Sequence, residues 1–165
     1  MKKFKELTLL LVEDEDGIRE SMQEVFGGVF QKVISASNGD EGLKKFKKFS
    51  PDIVIADIMM PIMDGYQLCQ TIKEDIEVSH IPVVLLTAKS DTESQKIGYK
   101  LGADAYIAKP FDIELLLSVI EMQLRRRELF RQKYQYNLLT LSPQQTTISS
   151  ADEQFMCKLQ AAVKE

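Results

Sequence analysis

Apolar residues along this chain follow two alternating rhythms. Four short, nearly unbroken runs, Leu7 to Val12, Ile53 to Ala56, Val83 to Leu86 and Ala105 to Ala108, are too short and too continuous for a surface helix, and predict buried strands. A fifth, more mixed run, Lys32 to Ala36, predicts an edge strand of the same sheet. Between the runs the spacing becomes helical. Ile18, Met22, Val25 and Phe26 mark one apolar face, Leu43 and Phe46 a second, and Leu68, Ile72 and Ile76 a third. Asn38 with Glu41, and Ser90 with Glu93, have the spacing at which a side-chain oxygen meets an orphan N–H and a carboxylate reaches back, so they predict helix starts. Strands alternating with helices imply a parallel sheet covered on both faces by right-handed crossovers, a five-unit doubly wound α/β domain over residues 7 to about 125.

Beyond Asp112 a fifth helix is expected to bury Leu115, Leu116, Val119 and Ile120, then to turn basic through Arg125, Arg126, Arg127, Arg131 and Lys133. Those cations suit a solvated helix end, where they offset the macrodipole. Residues 142 to 150 are polar, include Pro143, and read as linker. Ser150 and Glu153 then form another capping pair, and Phe155, Met156, Leu159, Ala162 and Val163 recur at helical spacing. A helix of about 15 residues is marginal alone in water, so this apolar face implies either docking on the first domain or continuation into a following one, and continuation is the favoured expectation. The resulting division is 1–134 for the α/β domain with its extended last helix, 135–150 for the linker, and 151–165 for the start of a helix leading to an effector domain. No repeat of solenoid length is present.

Composition narrows the class. The 165 residues are 44% hydrophobic and 28% charged, with eight Gly and five Pro, which excludes low-complexity and wholly disordered chains. No apolar run approaches the roughly 20 residues of a membrane helix, and the Met1-Lys2-Lys3 start leads into no signal-peptide core. Cys69 and Cys157 lack metal-ligand or disulfide-scaffold spacing, and a reducing cytoplasm is the expected compartment. A net charge of −4 favours solubility and argues against this segment being the main nucleic-acid surface.

In a doubly wound sheet ligands sit outside the carboxyl ends of the strands. The first run is followed by Glu13-Asp14, the third strand by Asp57, the fourth by Thr87 and the fifth by Lys109. Three carboxylates, a hydroxyl and an ammonium thus converge on one edge. Two carboxylates about 4 Å apart repel by roughly 4 kcal/mol at an effective dielectric of 20, so the cluster needs a counter-charge. Lys109 offers one and a divalent cation another; oxygen ligands without His or Cys suit magnesium, which commonly works beside substrate phosphates. Taken singly, Glu13 or Asp14 suits a helix cap, Thr87 a turn hydroxyl and Lys109 a solvated lysine. Asp57 is different, because an ionised carboxylate closing a central buried strand carries a desolvation cost that capping rarely justifies. Pro61 and Asp64-Gly65 mark the turn into the next helix, and Lys109-Pro110 is a place for a cis bond. His80, the only histidine, lies in a loop before Ile81-Pro82 and suits neither a phosphohistidine relay nor metal ligation.

These residues resemble the response-regulator receiver domains of two-component signalling. Leu10-Leu11-Val12-Glu13-Asp14-Glu15 resembles the acidic-pair motif. Asp57 with Met60-Pro61 and Asp64-Gly65 is similar to the phosphoacceptor strand and loop, and Leu86-Thr87-Ala88 to the switch-hydroxyl motif. Gly102-Ala103-Asp104-Ala105-Tyr106 and Lys109-Pro110-Phe111 complete the match. The resemblance implies the flavodoxin-like strand order 2-1-3-4-5, of which chemotaxis receivers are a known example, with a C-terminal helical extension.

By that resemblance Asp57 accepts a phosphoryl group from the phosphohistidine of a sensor histidine kinase or phosphotransfer domain, or from acetyl phosphate. Asp14, Asp57 and the backbone carbonyl of Met59 would bind Mg2+, with Mn2+ as a substitute, and Glu13 would act through a metal-bound water. Lys109 and Thr87 would engage phosphoryl oxygens, Ala88 would leave room for them, and Tyr106 would rotate into space left by Thr87. Such a domain regulates rather than acting as a conventional enzyme. Glu13 departs from the Asp common at its position, and Met59 and Lys89 lie where receivers tune access of water to the acyl phosphate.

The segment from Asp91 to Leu101, with only Ile97, Tyr99 and Leu101 as large apolar anchors, is the expected switching element. In many relatives the surface of residues 91–125 dimerises or meets an effector. The expected output is DNA-binding transcriptional control through a separate effector domain, since the tail at Asp152-Glu153-Gln154-Phe155 resembles the lead into AraC-type helix-turn-helix domains of hybrid two-component proteins. The alternative is a stand-alone receiver acting through protein–protein contacts. A haloacid-dehalogenase-like hydrolase is disfavoured because Asp57 is followed by Ile58-Met59 rather than a second Asp two residues on. A nucleotide-binding module is disfavoured because no Gly-x-Gly-x-x-Gly or Walker loop follows the first strand.

Overall fold

The computed structural model describes residues 4–88 and 100–140, with side chains described to residue 133. In chain order the elements are β1 (Thr8–Val12), α1 (Asp16–Gly27), β2 (Lys32–Ala36), α2 (Gly39–Phe49), β3 (Ile53–Asp57), α3 (Gly65–Glu74), β4 (Val83–Thr87), β5 (Ala105–Ala108) and α4 (Ile113–Thr140). All strand pairs are parallel, in the order β2-β1-β3-β4-β5. The doubly wound α/β sheet expected from the alternating rhythms is therefore present, with the flavodoxin-like strand order that the resemblance implies. The capping pair Ser90/Glu93, most of the Asp91 to Leu101 segment, the linker 142–150 and the helix from 151 lie outside the described residues. Compact units divide at Met1–Leu129 and Phe130–Glu165, and the second is described only over the last part of α4.

Alternation along the strands sorts the core onto two faces. Leu10, Val12, Val54, Ala56, Val83 and Leu85 pack with Phe46 of α2 and with Leu68, Cys69 and Ile72 of α3. Leu9, Leu11, Ile53, Ile55, Val84 and Leu86 pack with Met22 and Phe26 of α1 and with Leu116 and Ile120 of α4. At about 1.5–3 kcal/mol for each fully buried aliphatic side chain, these layers dominate the stability of the sheet and make its carboxyl edge a rigid platform.

Three residues assigned to apolar faces are exposed instead. Val25 lies one residue back from Phe26, about 100° around α1, and the Met22–Phe26 stripe already fills the contact with the sheet. Leu115 stands in the same relation to Leu116 on α4, where burial continues through Ile120 to the polar Gln123. Ile76 is 91% exposed because α3 ends at Glu74 and Asp75 is extended, which breaks the helical period.

Caps also differ in detail. The Asn38 side chain accepts from Glu41 N, but the Glu41 carboxylate accepts from the Ser37 N–H and hydroxyl, one residue earlier than a standard capping box. A complete box forms instead at α3, between Asp64 and Gln67, a pair whose first member reads from sequence only as a turn residue. Helix α4 runs on to Thr140, past residue 134.

At the amino edge of the sheet, two aspartates immediately before strands bracket their neighbours. Asp52 donates its N–H to Thr8 O and accepts the Thr8 N–H on Oδ2, while Arg127 of α4 donates to the Asp52 carbonyl at 2.9 Å and to Oδ1 at 3.3 Å. Asp104 exchanges the same two bonds with Val83, and Lys73 of α3 pairs with its carboxylate at 2.7 Å.

Candidate functional site

At the opposite, carboxyl edge the predicted residues come together. Asp57 and Thr87 are the last residues of β3 and β4, Glu13 and Asp14 follow β1, and Lys109 follows β5. Glu13, Asp57 and Thr87 are buried, at 1%, 6% and 4% exposure, whereas Asp14 is exposed. Carboxylate oxygens of Glu13, Asp14 and Asp57 all lie within 4.8 Å of one another, close enough that they could share a metal ion. Lys109 Nζ sits between two of them, 2.7 Å from Glu13 Oε2 and 2.9 Å from Asp57 Oδ1.

Charge and burial pull these groups in opposing directions. Burial pushes the Glu13 carboxyl above its ordinary range and nearby Asp57 adds to this, while the Lys109 hydrogen bond and charge work against it. Burial alone would lower the Lys109 ammonium pKa, but its hydrogen bonds to Glu13 and Asp57 outweigh this and hold it raised, so Lys109 stays a cation.

The loop after Asp57 is shaped by its own backbone. Met59 N donates to Asp57 Oδ2 at 3.2 Å, Ile58 N to Leu86 O, and Gly65 N to Ile58 O, each of the last two at 3.0 Å. Gly65 is required by close approach, because a Cβ there would lie 2.2 Å from the Asp57 carbonyl oxygen. The Met59 backbone is therefore held beside the Asp57 carboxylate while its side chain points to solvent. The Lys109–Pro110 peptide is cis.

Thr87 pairs in register with Ala108, and Leu85 with Tyr106. Two-residue alternation puts Thr87 and Tyr106 on the same face of the sheet as Leu85. The Tyr106 ring packs there against the α3 side of the core, 6.4 Å from the Tyr66 ring.

Sequence reasoning missed one participant. Arg19, in the second turn of α1, donates from Nη1 to the carbonyl oxygens of Glu13 at 2.8 Å and Asp14 at 3.3 Å, and from Nη2 to the Asp16 carboxylate. Its only signal in the sequence is a cation one helical turn beyond an acidic loop, a pattern shared by many solvated helices.

The chain matches the family model of the response regulator receiver domain over residues 9–121, and it belongs to that family. It is thus a receiver domain of two-component systems, a regulatory class that works with histidine kinases. Among curated relatives, it is 42% identical over 124 residues to response regulator Rre1 of Synechocystis, an alignment covering 74% of this chain and 53% of that one. Histidine kinase P4 of Formosa agariphila is 38% identical over 151 residues, 92% of this chain but 11% of the kinase. The probable transcriptional regulator ycf27 of Guillardia theta is 42% identical over 118 residues, covering 72% and 45%. The chain therefore spans about half the length of these regulators and a small part of the kinase. Among solved structures, a putative response regulator from Chloroflexus aurantiacus superposes with TM-score 0.68 at 33% identity, covering 73% of this chain and 98% of that one. The receiver domain of a signal transduction histidine kinase from Syntrophus aciditrophicus gives 0.66 at 32% identity, covering 72% and 90%. No helix among the described residues is long and apolar enough to cross a membrane.

Proposed function

We propose that this domain is a phosphorylation-controlled switch in which Asp57 accepts a phosphoryl group from a sensor histidine kinase or phosphotransfer domain, with Mg2+ required, and relays the change to an output. The observation that carries the reading is the Glu13–Asp14–Asp57 cluster, with Lys109 inserted between Glu13 and Asp57 at the end of the central strand. Three carboxylates and one ammonium carry a formal charge of −2, which one divalent cation cancels. The donor set is oxygen only and fits Mg2+, with Mn2+ as a substitute. Glu13, Asp14, Asp57 and the Met59 carbonyl are the groups that would hold it. The ion, when bound, neutralises charge on the phosphoryl oxygens.

Transfer is a displacement at phosphorus. A carboxylate oxygen of Asp57 forms the new P–O bond as the P–N bond of a phosphohistidine breaks, and the imidazole leaves with the bonding pair and takes a proton from solvent. With acetyl phosphate the bond broken is P–O, and acetate leaves. Lys109, held cationic, offsets charge on one phosphoryl oxygen, and the Thr87 hydroxyl donates to another, so the residues act by positioning and electrostatics. Movement of Thr87 toward the phosphoryl group opens space that Tyr106, on the same face of the sheet, turns to fill, and the change spreads to the surface of residues 91–125, which binds a second copy or an effector.

Regulators among the relatives are named as transcriptional, which supports DNA-binding transcriptional control through an effector domain as the output. The alignment with histidine kinase P4 covers 92% of the chain and so takes in residues beyond 121, where the receiver match ends; this supports a receiver within a hybrid two-component protein. The test is phosphate-affinity electrophoresis after acetyl phosphate treatment, with and without Mg2+. A shifted band that needs Mg2+ and is lost in Asp57→Asn supports the switch. Absence of a shift, with a histidine-kinase donor as well, would leave the acidic edge a binding or structural feature.

A further inference from the structure

We propose that Arg19 is a positioning residue for the cation site: its guanidinium, bridging the Glu13 and Asp14 carbonyls, sets the loop that carries Asp14 to Asp57. The inference rests on the acidic cluster being a divalent-cation site. Asp14 follows the last residue of the sheet by two positions and is exposed, yet its carboxylate is brought within 4.8 Å of those of Glu13 and Asp57. Packing does little to hold it there, so the backbone must.

The bonds along that loop are few. Glu13 N donates to Ala36 O at 3.0 Å, which anchors the start. Glu15 N reaches Glu13 Oε1 only at 3.4 Å, and Glu15, the N-cap of α1, makes no side-chain capping bond. Arg19 supplies what is missing. One nitrogen meets two successive carbonyls, at 2.8 and 3.3 Å, and fixes both peptide planes that flank the Asp14 Cα. Those planes fix the direction of its Cα–Cβ bond. The Arg19 backbone N–H is itself bonded to Glu15 O, so the side chain springs from a formed helical turn. Its side chain is 17% exposed, whereas its Asp16 partner is 81% exposed. A half-buried Arg19 side chain aimed at carbonyls, with the exposed carboxylate peripheral, has the arrangement of a backbone clamp rather than a surface ion pair.

The clamp predicts a specific pattern in Mn2+ binding, followed by the loss of the free-ion electron paramagnetic resonance signal. Outer groups that orient metal ligands typically change affinity about 10–100-fold when removed. Arg19→Gln should weaken Mn2+ binding about 10-fold at a temperature well below its own Tm, which circular dichroism measures in parallel. Arg19→Lys, whose ammonium can still reach a carbonyl, should recover part of the loss. Asp16→Asn, which removes the exposed ion pair but leaves the carbonyl contacts, should bind Mn2+ as the unaltered protein does. Equal affinity in Arg19→Gln and the unaltered protein would overturn the clamp while leaving the cation site standing. Equal weakening in Asp16→Asn and Arg19→Gln would reassign the effect to the ion pair and overturn it too. Failure of the unaltered protein to bind Mn2+ at all would remove the cation site, and the clamp with it.

Discussion

Strand β3 is tied to both ends of the domain's part of α4. At its carboxyl end Asp57 pairs with Lys109, which precedes the helix, and before its amino end Asp52 pairs with Arg127, near where α4 leaves the sheet. The second tie can be measured. Arg127 contributes an ion pair at 3.3 Å whose side chains are 28% and 30% exposed, together with a 2.9 Å bond to the Asp52 carbonyl. Partial solvent screening and the ordering of a long side chain reduce the net effect to about 1 kcal/mol. Arg127→Met, which keeps the aliphatic stem, should lose about that much. Asp52→Ala should lose about 2–3 kcal/mol, because it also strips the acceptor from the Thr8 N–H, and an unmet amide costs about 1–3 kcal/mol by itself. Asp52→Asn retains an acceptor for Thr8 and the carbonyl bond to Arg127, so it should lose less than Arg127→Met, about 0.5 kcal/mol. Urea unfolding of the single variants and of Asp52→Asn/Arg127→Met closes a double-mutant cycle that isolates the ion pair, with an expected coupling of about 0.5 kcal/mol. Additive losses, or an Asp52→Ala no worse than Arg127→Met, would refute the account of the bracket.

Other consequences follow from single contacts. Gly65→Ala should destabilise by about 1–3 kcal/mol, in the range for overpacking, since the new Cβ meets backbone at 2.2 Å; because the displaced atoms belong to Asp57, phosphoryl uptake should fall as well, read by thermal melting and phosphate-affinity electrophoresis. The Glu41 carboxyl is held down at about 2, first by the Lys45 ammonium and then by the N–H and hydroxyl of Ser37. A carboxylate whose folded pKa lies below its unfolded value stabilises above the unfolded value, near 4.5, and loses that contribution as pH falls toward 2. Because the Glu41 side chain is partly exposed, Glu41→Gln should cost only about 1 kcal/mol at neutral pH, and in pH-dependent unfolding the gap should close near pH 2; a gap independent of pH would overturn the assignment. Mg2+ should raise Tm in the unaltered protein, by an amount equivalent to about 1.4 kcal/mol at ten times its Kd, and Asp57→Asn should lose most of the rise, as differential scanning fluorimetry would show.

Much of the fold could be read directly from the chain. Buried strands of a parallel sheet declare themselves as short continuous apolar runs, so β2 and β5 lie where the pattern puts them, and β3 and β4 each extend one residue further, to Asp57 and Thr87. The same logic exposed the site, since the doubly wound topology carries the residues after each strand to one edge. Helical faces were less legible. Periodicity marks which residues share a face but not how much of it the sheet covers, and Val25, Leu115 and Ile76 fall outside the contact for that reason.

The linear pattern determined the α/β architecture, the strand order through its resemblance, and the identity of Glu13, Asp14, Asp57, Thr87 and Lys109 as the groups at the carboxyl edge. Only the tertiary structure decided how those groups meet. Lys109 reaches Glu13 across a separation of 96 residues, and Arg127 reaches Asp52 across 75. Arg19 holds two carbonyls that no residue type advertises. Local propensity and burial periodicity act over a few neighbouring residues and so leave their mark in the sequence. Ion pairs and backbone contacts depend on distances set by the packed sheet, and they become defined only when its strands and helices are in place.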